Sequence, residues 1–271
     1  MPLKKDASGR HVAVEVELPG TPEQIWQAMA TGPGYSAWFA KTRIEERVGG
    51  QISFDMGGGM VSSGQVTRWE PPYRFGYEET GWSGEAPPLA TELTIEAKAG
   101  GTCTVRMVHS LFTERDDWDG ELESMETGWP GVFKVLRIYL RDFAGLKAAM
   151  SGPHGQFDGT HEAAWSAVSE RLGLAGAKVG DRVEAVPADA PDIAGTVEDV
   201  QAGKAIRSVT LRLDRPAPGV AMVATYGWGG KMHVALSLYF YGDEADQTLA
   251  REAPLWEAWM QRHFPTPEEM A

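Results

Sequence analysis

His109 is the titratable side chain whose setting best suits chemistry. It closes the run Cys103, Val105, Met107, His109, in which alternate residues share one face of a strand. An imidazole on the apolar side of a sheet can serve as acid, base or hydrogen-bonding anchor, or as a satisfied structural group. The other five histidines are scattered without metal-ligand spacing. Glu78 and Glu79 straddle a strand end. Only one can face inward, and surface exposure is expected for both, so no carboxylate pair is placed for acid and base roles. In RDDWDGELESME, Asp117, Asp119, Gly120 and Glu126 match calcium-loop positions, but Arg115 stands where the first ligand belongs. These carboxylates are better read as solvating a loop and facing the positive end of a helix. GWSG at 81–84 lacks the last glycine of a nucleophile elbow. The glycines at 57–59 lack the Lys-Ser/Thr of a phosphate loop and are expected to form a hairpin turn.

The elements that position these residues can be read from their punctuation. VAVEVEL at 12–18 alternates as a strand does. Thr21 caps a helix, with Pro22 at its first position and Gln24 able to close a capping box. Ile25, Trp26 and Met29 form its apolar stripe. GPG at 32–34 ends it, and a second short helix is expected around Tyr35–Phe39. Turn signals VGG, GGG, EPPY and AGG then separate strands near 42–47, 51–56, 62–69, 73–80, 90–98 and 102–110. Inward faces carry Ile52, Phe54 and Met56; Phe75 and Tyr77; Leu93 and Ile95. An acidic loop leads to a helix over about 122–147, where Trp129, Phe133, Leu136, Leu140 and Phe143 form one apolar face. Pro130 is tolerable there if it restarts the first turn. Successive hairpins give an antiparallel sheet, and this helix is the one element long enough to cover it.

The formal net charge of −13 argues against nucleic acid or an anionic membrane as partner, since both require a basic surface. With one cysteine, Cys103, neither an internal disulfide nor a CxxC metal site can form. No stretch approaches the roughly 20 apolar residues of a membrane span, and MPLKKDASGR has no apolar run after its lysines. A cytoplasmic location without membrane insertion, cofactor or metal is expected.

The grammar then recurs. TPEQIWQAM at 21–29 returns as THEAAWSAV at 160–168, VGGQI at 48–52 as VGDRV at 179–183, and Gly64 and Val66 as Gly195 and Val197. YLRDF at 139–143 returns loosely as MQRHF at 260–264. Helices opening T-x-E look alike for capping reasons alone, but four matches in order point to two copies of one domain, 1–150 and 156–271. The second copy is reduced. It has a shorter link from Trp165 to Val179 and little room for a strand before Thr160. It still carries a hairpin, VAMVATYGW and KMHVALSLYFYG, and a final helix striped by Trp256, Met260 and Phe264. It is expected to lean on the first copy for cover.

TPEQIW with Trp38-Phe39, VGGQISF, GQVTRWEPPYRFGY, and Gly128-Trp129 followed by Phe133, Leu136, Tyr139 and Leu140 make residues 10–147 resemble the Aha-type heat-shock ATPase activator-like branch of the START/SRPBCC superfamily. The resemblance implies an α+β helix-grip fold, a curved antiparallel sheet wrapped round a long C-terminal helix, here as two tandem lobes. It also implies a gap between sheet and helix in which many superfamily members hold an apolar ligand. Trp38, Phe54, Met56, Tyr77, Trp82, Met107, His109, Trp129, Phe133 and Leu136 are the candidate lining. Large rings can fill such a gap as readily as line it. The leading expectation is binding of a small, largely apolar molecule. An apolar ligand burying roughly 200–300 Å² gains about 5–7 kcal/mol before association costs, so polar contacts would set specificity. The alternatives are a protein-interaction, co-chaperone-like module with a protein partner, and a cyclase- or hydratase-like enzyme using His109 or a nearby tyrosine. The enzyme would need a polar set that the sequence does not display.

Overall fold

Thr21 accepts a hydrogen bond from the Gln24 amide while the Gln24 side chain accepts from the Thr21 amide. The capping box therefore forms and fixes the start of α1 (Pro22–Ala30). Thr31 ends this helix and caps the next, α2 (Gly32–Ser36), by accepting from the Gly34 amide. The GPG segment thus begins the second helix instead of merely ending the first, because Thr31 supplies a cap and Pro33 a pre-set first turn.

The computed structural model describes residues 3–6, 9–57, 61–184 and 190–266. The chain forms two units, Met1–Ala144 and Gly145–Ala271. Gly58 and Gly59, of the 57–59 turn expected above, lie outside the described residues.

In the first unit, β1 (Lys4–Asp6), β2 (Gly9–Pro19), β3 (Lys41–Ile44), β4 (Gln51–Asp55), β5 (Val61–Glu70), β6 (Arg74–Thr80), β7 (Leu89–Lys98) and β8 (Thr102–Leu111) make one antiparallel sheet, in the order β1-β2-β8-β7-β6-β5-β4-β3. α3 (Asp119–Ile138) follows, continued by a π-helical turn at Tyr139–Phe143. α3 starts earlier than 122 because its acidic first turn is anchored. Asp119 accepts from Arg10 Nε at 2.5 Å and pairs with Lys5 at 2.8 Å, and Asp119 and Glu121 suit the positive helix end. Pro130 consequently stands inside α3 and not at its start. Leu122, Trp129, Phe133, Leu136, Tyr139 and Phe143 are buried, whereas Leu140 is only half-buried.

The second unit repeats this topology. β9 (Ala148–Ser151) and β10 (His154–Phe157) pair in turn with the last strand; α4 (His161–Arg171), capped by Thr160, follows them. β11 (Arg182–Val183), β12 (Ala194–Ala202), β13 (Ile206–Arg215), β14 (Gly219–Trp228) and β15 (Lys231–Tyr241) then form a meander closed by α5 (Ala245–His263). The expectation of little room for a strand before Thr160 is corrected. The first strand is present, broken in two by the Gly152-Pro153 step, since proline has no amide to give a ladder. The division therefore falls between Ala144 and Gly145, ahead of the expected 150. Among the described residues β1, α2 and β3 have no counterpart.

The repeat extends to single hydrogen bonds. Gly49 N donates to Val66 O at 2.8 Å, and Gly180 N to Val197 O at 2.8 Å. The register of β5 on β6 slips between Val66 and Arg68, and that of β12 on β13 between Val197 and Asp199. A Cβ on Gly64 would sit 2.0 Å from Glu78 O, and one on Gly195 2.3 Å from Arg212 O. Both glycines admit a neighbouring backbone next to the same bulge. Gly64→Ala and Gly195→Ala should each cost about 1–3 kcal/mol by overpacking. Gly120→Ala, with nothing within 4 Å of its Cβ, should be neutral or stabilising. Urea unfolding of the three variants measures this, and equal midpoints would refute the close-approach argument.

Candidate ligand-binding site

Cross-strand register assembles the site. Val66, Tyr77, Thr91, His109 and Val12 are successive partners from β5 across β6, β7 and β8 to β2, and all five are buried. Thr91 Oγ1 and His109 Nδ1 are 2.9 Å apart. One row further along β6, Glu79 is buried and accepts from Ser62 Oγ at 2.9 Å. The expectation that both glutamates are exposed is thus corrected for Glu79. It continues the inward face of Phe75 and Tyr77, while Glu78 points outward. Among the described residues of this unit, two buried side-chain polar atoms have no protein group in hydrogen-bonding geometry, His109 Nε2 and Tyr35 Oη. The Tyr77 hydroxyl lies near the Tyr35 hydroxyl and influences it without forming a well-aligned bond.

Aromatic rings close over this row. Trp129 stacks on His109 with centroids 5.6 Å apart and lies 4.9 Å from Phe39 and 5.4 Å from Phe133. Trp38 is 6.0 Å from Phe133 and stacks on Tyr35 at 5.3 Å, its indole N–H donating to Ala28 O. Phe54 bridges Tyr35 and Tyr77 at 5.5 and 5.4 Å. The structure therefore brings Trp38, Phe54, Tyr77, His109, Trp129 and Phe133 together. Met107 and Leu136 are fully buried on the same strand face and helix stripe. Trp82 joins a neighbouring cluster with Val12, Leu89, Leu111 and Leu122, its N–H held by Pro87 O at 2.8 Å. Met56 lies beyond the end of β4, where alternation no longer holds, and is exposed. Sequence reading missed Phe39, Tyr35, Ser62, Glu79 and Thr91 as members of the site. The last three were available by continuing the alternation along each inward face, two steps from Val66 through Gly64 to Ser62 and one step from Tyr77 to Glu79 and from Leu93 to Thr91.

Burial sets the electrostatics. It pushes the His109 imidazole down to about 4 and the Glu79 carboxyl up to about 7, the Ser62 hydrogen bond opposing the latter only in part. Burial also raises Tyr77 and Tyr35 above the ordinary phenol range. Among the described buried residues there is no lysine or arginine. Near neutral pH the row presents neutral donors and acceptors beside one carboxyl poised to titrate. No group of three metal-ligating side chains occurs among the described residues, and no described helix is long and apolar enough to cross a membrane. A depression of about 550 Å³ in the second unit is lined by Gly173, Arg182, Val183 and Glu184. It lies far from this chemistry in character, since Arg182 is already paired with Asp214 and Glu184.

The second unit supplies an internal comparison. Val197, anchored as Val66 is, begins the row Val197, Leu211, Ala221, Leu238. Leu211, Ala221 and Leu238 stand where Tyr77, Thr91 and His109 stand in the first unit, and Leu213 stands where Glu79 does. The equivalent row is aliphatic, although the core around it also holds Phe240, Trp256, Trp259 and Phe264. The buried indole nitrogens of Trp256 and Trp259 also lack partners, but they belong to α5 and not to the sheet.

A curved antiparallel sheet gripping a long terminal helix is the helix-grip architecture, and this chain builds it twice. Residues 19–141, within the first unit, are similar to the family described as Activator of Hsp90 ATPase homolog 1-like protein, and the match stops short of the second unit. No curated protein matches the chain. Similar solved structures include DynU16, a putative protein in the dynemicin biosynthetic locus (18% identity, 93% of this chain and 96% of that one, TM-score 0.41). Another is the di-domain ARO/CYC BexL from the BE-7585A biosynthetic pathway (11% identity, 94% and 98%, TM-score 0.42). A third is protein MLL2253 from Mesorhizobium loti (27% identity, 49% and 97%, TM-score 0.44).

Proposed function

We propose that the first unit binds a small, largely apolar molecule between its sheet and α3. The observation that carries this reading is the polar row of Tyr77, Thr91 and His109, buried at a place where the second unit is content with Leu211, Ala221 and Leu238. The fold does not require polar groups there. Burying them with an unpaired imidazole nitrogen costs stability, and a guest that meets them repays that cost. Phe39, half-buried, and Trp129 are the rings a guest would part on entry. The test is titration of the full chain with the uncharged fluorescent probe N-phenyl-1-naphthylamine. Saturable uptake with quenching of tryptophan emission is expected, weakened at least tenfold by Phe133→Ala or by Phe54→Ala. Absence of saturable uptake by the wild type would overturn the reading.

A second reading, acid–base chemistry of the cyclase or hydratase kind on the bound molecule, is favoured by one observation. Glu79 is a buried carboxyl whose proton is exchangeable near neutrality. Glu79→Gln, which keeps the hydrogen bond from Ser62, would then abolish conversion of a bound ligand while leaving its affinity within a few fold.

A further inference from the structure

Resting on the binding reading above, the character of the row constrains the guest. Its one imidazole is oriented by Thr91 through Nδ1, which leaves Nε2 on the opposite edge of the ring, buried and without a partner. The tautomer decides whether Nε2 donates or accepts, and the Thr91 hydroxyl can turn to suit either. A hydroxyl or ketone oxygen can therefore satisfy it. A carboxylate cannot be accommodated as well. Among the described residues no lysine or arginine is buried, and Glu79 lies one row away along the same strand face as Tyr77. A buried anion there would be uncompensated and would face a group that itself becomes anionic. A cationic guest would need an ionised Glu79 as counter-ion, yet that carboxyl stands off the row and its burial favours the neutral form. The walls supply flat faces, not branched aliphatic ones: Trp38, Phe39, Phe54, Trp129 and Phe133 present ring planes whose centroids are spaced 4.9–6.3 Å from their neighbours, the range of aromatic stacking.

We propose that the first unit selects an uncharged aromatic molecule bearing a hydroxyl or ketone oxygen, seated with that oxygen on His109 Nε2 and its ring among Trp129, Phe39 and Phe133. His109 is the specificity-determining residue and Thr91 its positioning residue.

Four probes of one shape separate the terms: naphthalene, 2-naphthol, 2-naphthoate and 2-naphthylmethylammonium, titrated calorimetrically into the full chain at pH 7. The expected order places 2-naphthol at least tenfold tighter than naphthalene, the return for pairing a buried group otherwise left unsatisfied, with both ions weaker than naphthalene. The variant Tyr77→Leu/Thr91→Ala/His109→Leu copies the second unit's row and is expected to fold for that reason. In it the preference for 2-naphthol over naphthalene should fall below threefold while naphthalene binding persists. Thr91→Val should lose part of the preference without affecting naphthalene. Equal affinity of the wild type for naphthalene and 2-naphthol would overturn the selectivity and leave the binding reading intact. Tighter binding of either ion would also overturn it. Failure of all four probes to bind would overturn the binding reading itself. The comparison of probes on the wild type needs no variant, so a misfolded mutant does not shield the proposal.

Discussion

Replacing Trp129 with alanine should lower the stability of the first unit by about 3–5 kcal/mol, the cost of deleting a large ring from a packed interior. A ring that merely lined an open, wet cavity would lose fewer contacts, and its removal would cost about 1–2 kcal/mol. The geometry selects the larger figure. Trp129 is 8% exposed, stacks on His109 at an interplanar angle of 17°, and has Phe39, Phe133 and Trp38 within 6.3 Å. Its removal also uncovers the unpaired His109 nitrogen. The measurement is urea unfolding of the full chain, resolved into transitions for the two units. The first should move to lower urea and the second should stay, because Trp129 lies within the first unit's sheet and helix. Indole added to the variant should recover part of the loss by filling the space left, as ligands of a native state do. A loss near 1 kcal/mol without indole rescue would mean the ring is a loose lid and not part of the packed interior.

The elements were legible because each obeys a local rule. Thr21-Pro22-Glu23-Gln24 specifies a helix start by its own hydrogen bonds, and it appears where expected. Gly229-Gly230 joins two alternating runs and forms a hairpin, with Trp228 opposite Lys231. The anchors Val66 and Val197 were matched from sequence, and both precede a register slip. Where the reading failed, a distant partner decided. α3 begins at Asp119 because Arg10, far off in sequence, pairs with it. Pro130 is carried inside the helix as a result, and α5 likewise carries Pro254. The site was half legible. Alternation revealed which rings and which imidazole face inward. It could not reveal that Tyr77, Thr91 and His109 are adjacent, since that depends on the register of three strands joined by loops of different length. Nor could a single strand show that Glu79 would find Ser62, because a glutamate at a strand end is exposed by default.

The wild-type stability of the first unit should be nearly flat between pH 4.5 and 6.5, and single substitutions at Glu79 and His109 should tilt it in opposite directions. Burial holds the Glu79 carboxyl at about 7 in the folded protein against 4.5 for the free group. The folded state therefore keeps a proton that the unfolded chain releases. Its stabilising contribution is complete below pH 4.5 and is lost as the pH rises to about 7. His109 works the other way. Burial holds it at about 4 against 6.5, so the unfolded chain takes up a proton that the folded state refuses. Its contribution is complete above pH 6.5 and is lost as the pH falls to about 4. At about 1.4 kcal/mol per pH unit each slope amounts to about 3 kcal/mol, and the two windows overlap almost entirely. In Glu79→Gln the His109 slope stands alone, so stability should climb by about 3 kcal/mol from pH 4.5 to 6.5 and exceed that of the wild type at pH 8. In His109→Gln the Glu79 slope stands alone, so stability should fall by a similar amount up to pH 7. Exposed pairs such as Arg182 with Asp214 titrate alike in all three proteins and cancel in the differences. Urea midpoints taken from pH 4 to 8 measure the curves. Three parallel curves would mean that neither group is buried in the form its surroundings favour, and the polar row would lose the electrostatic character on which its choice of an uncharged guest depends.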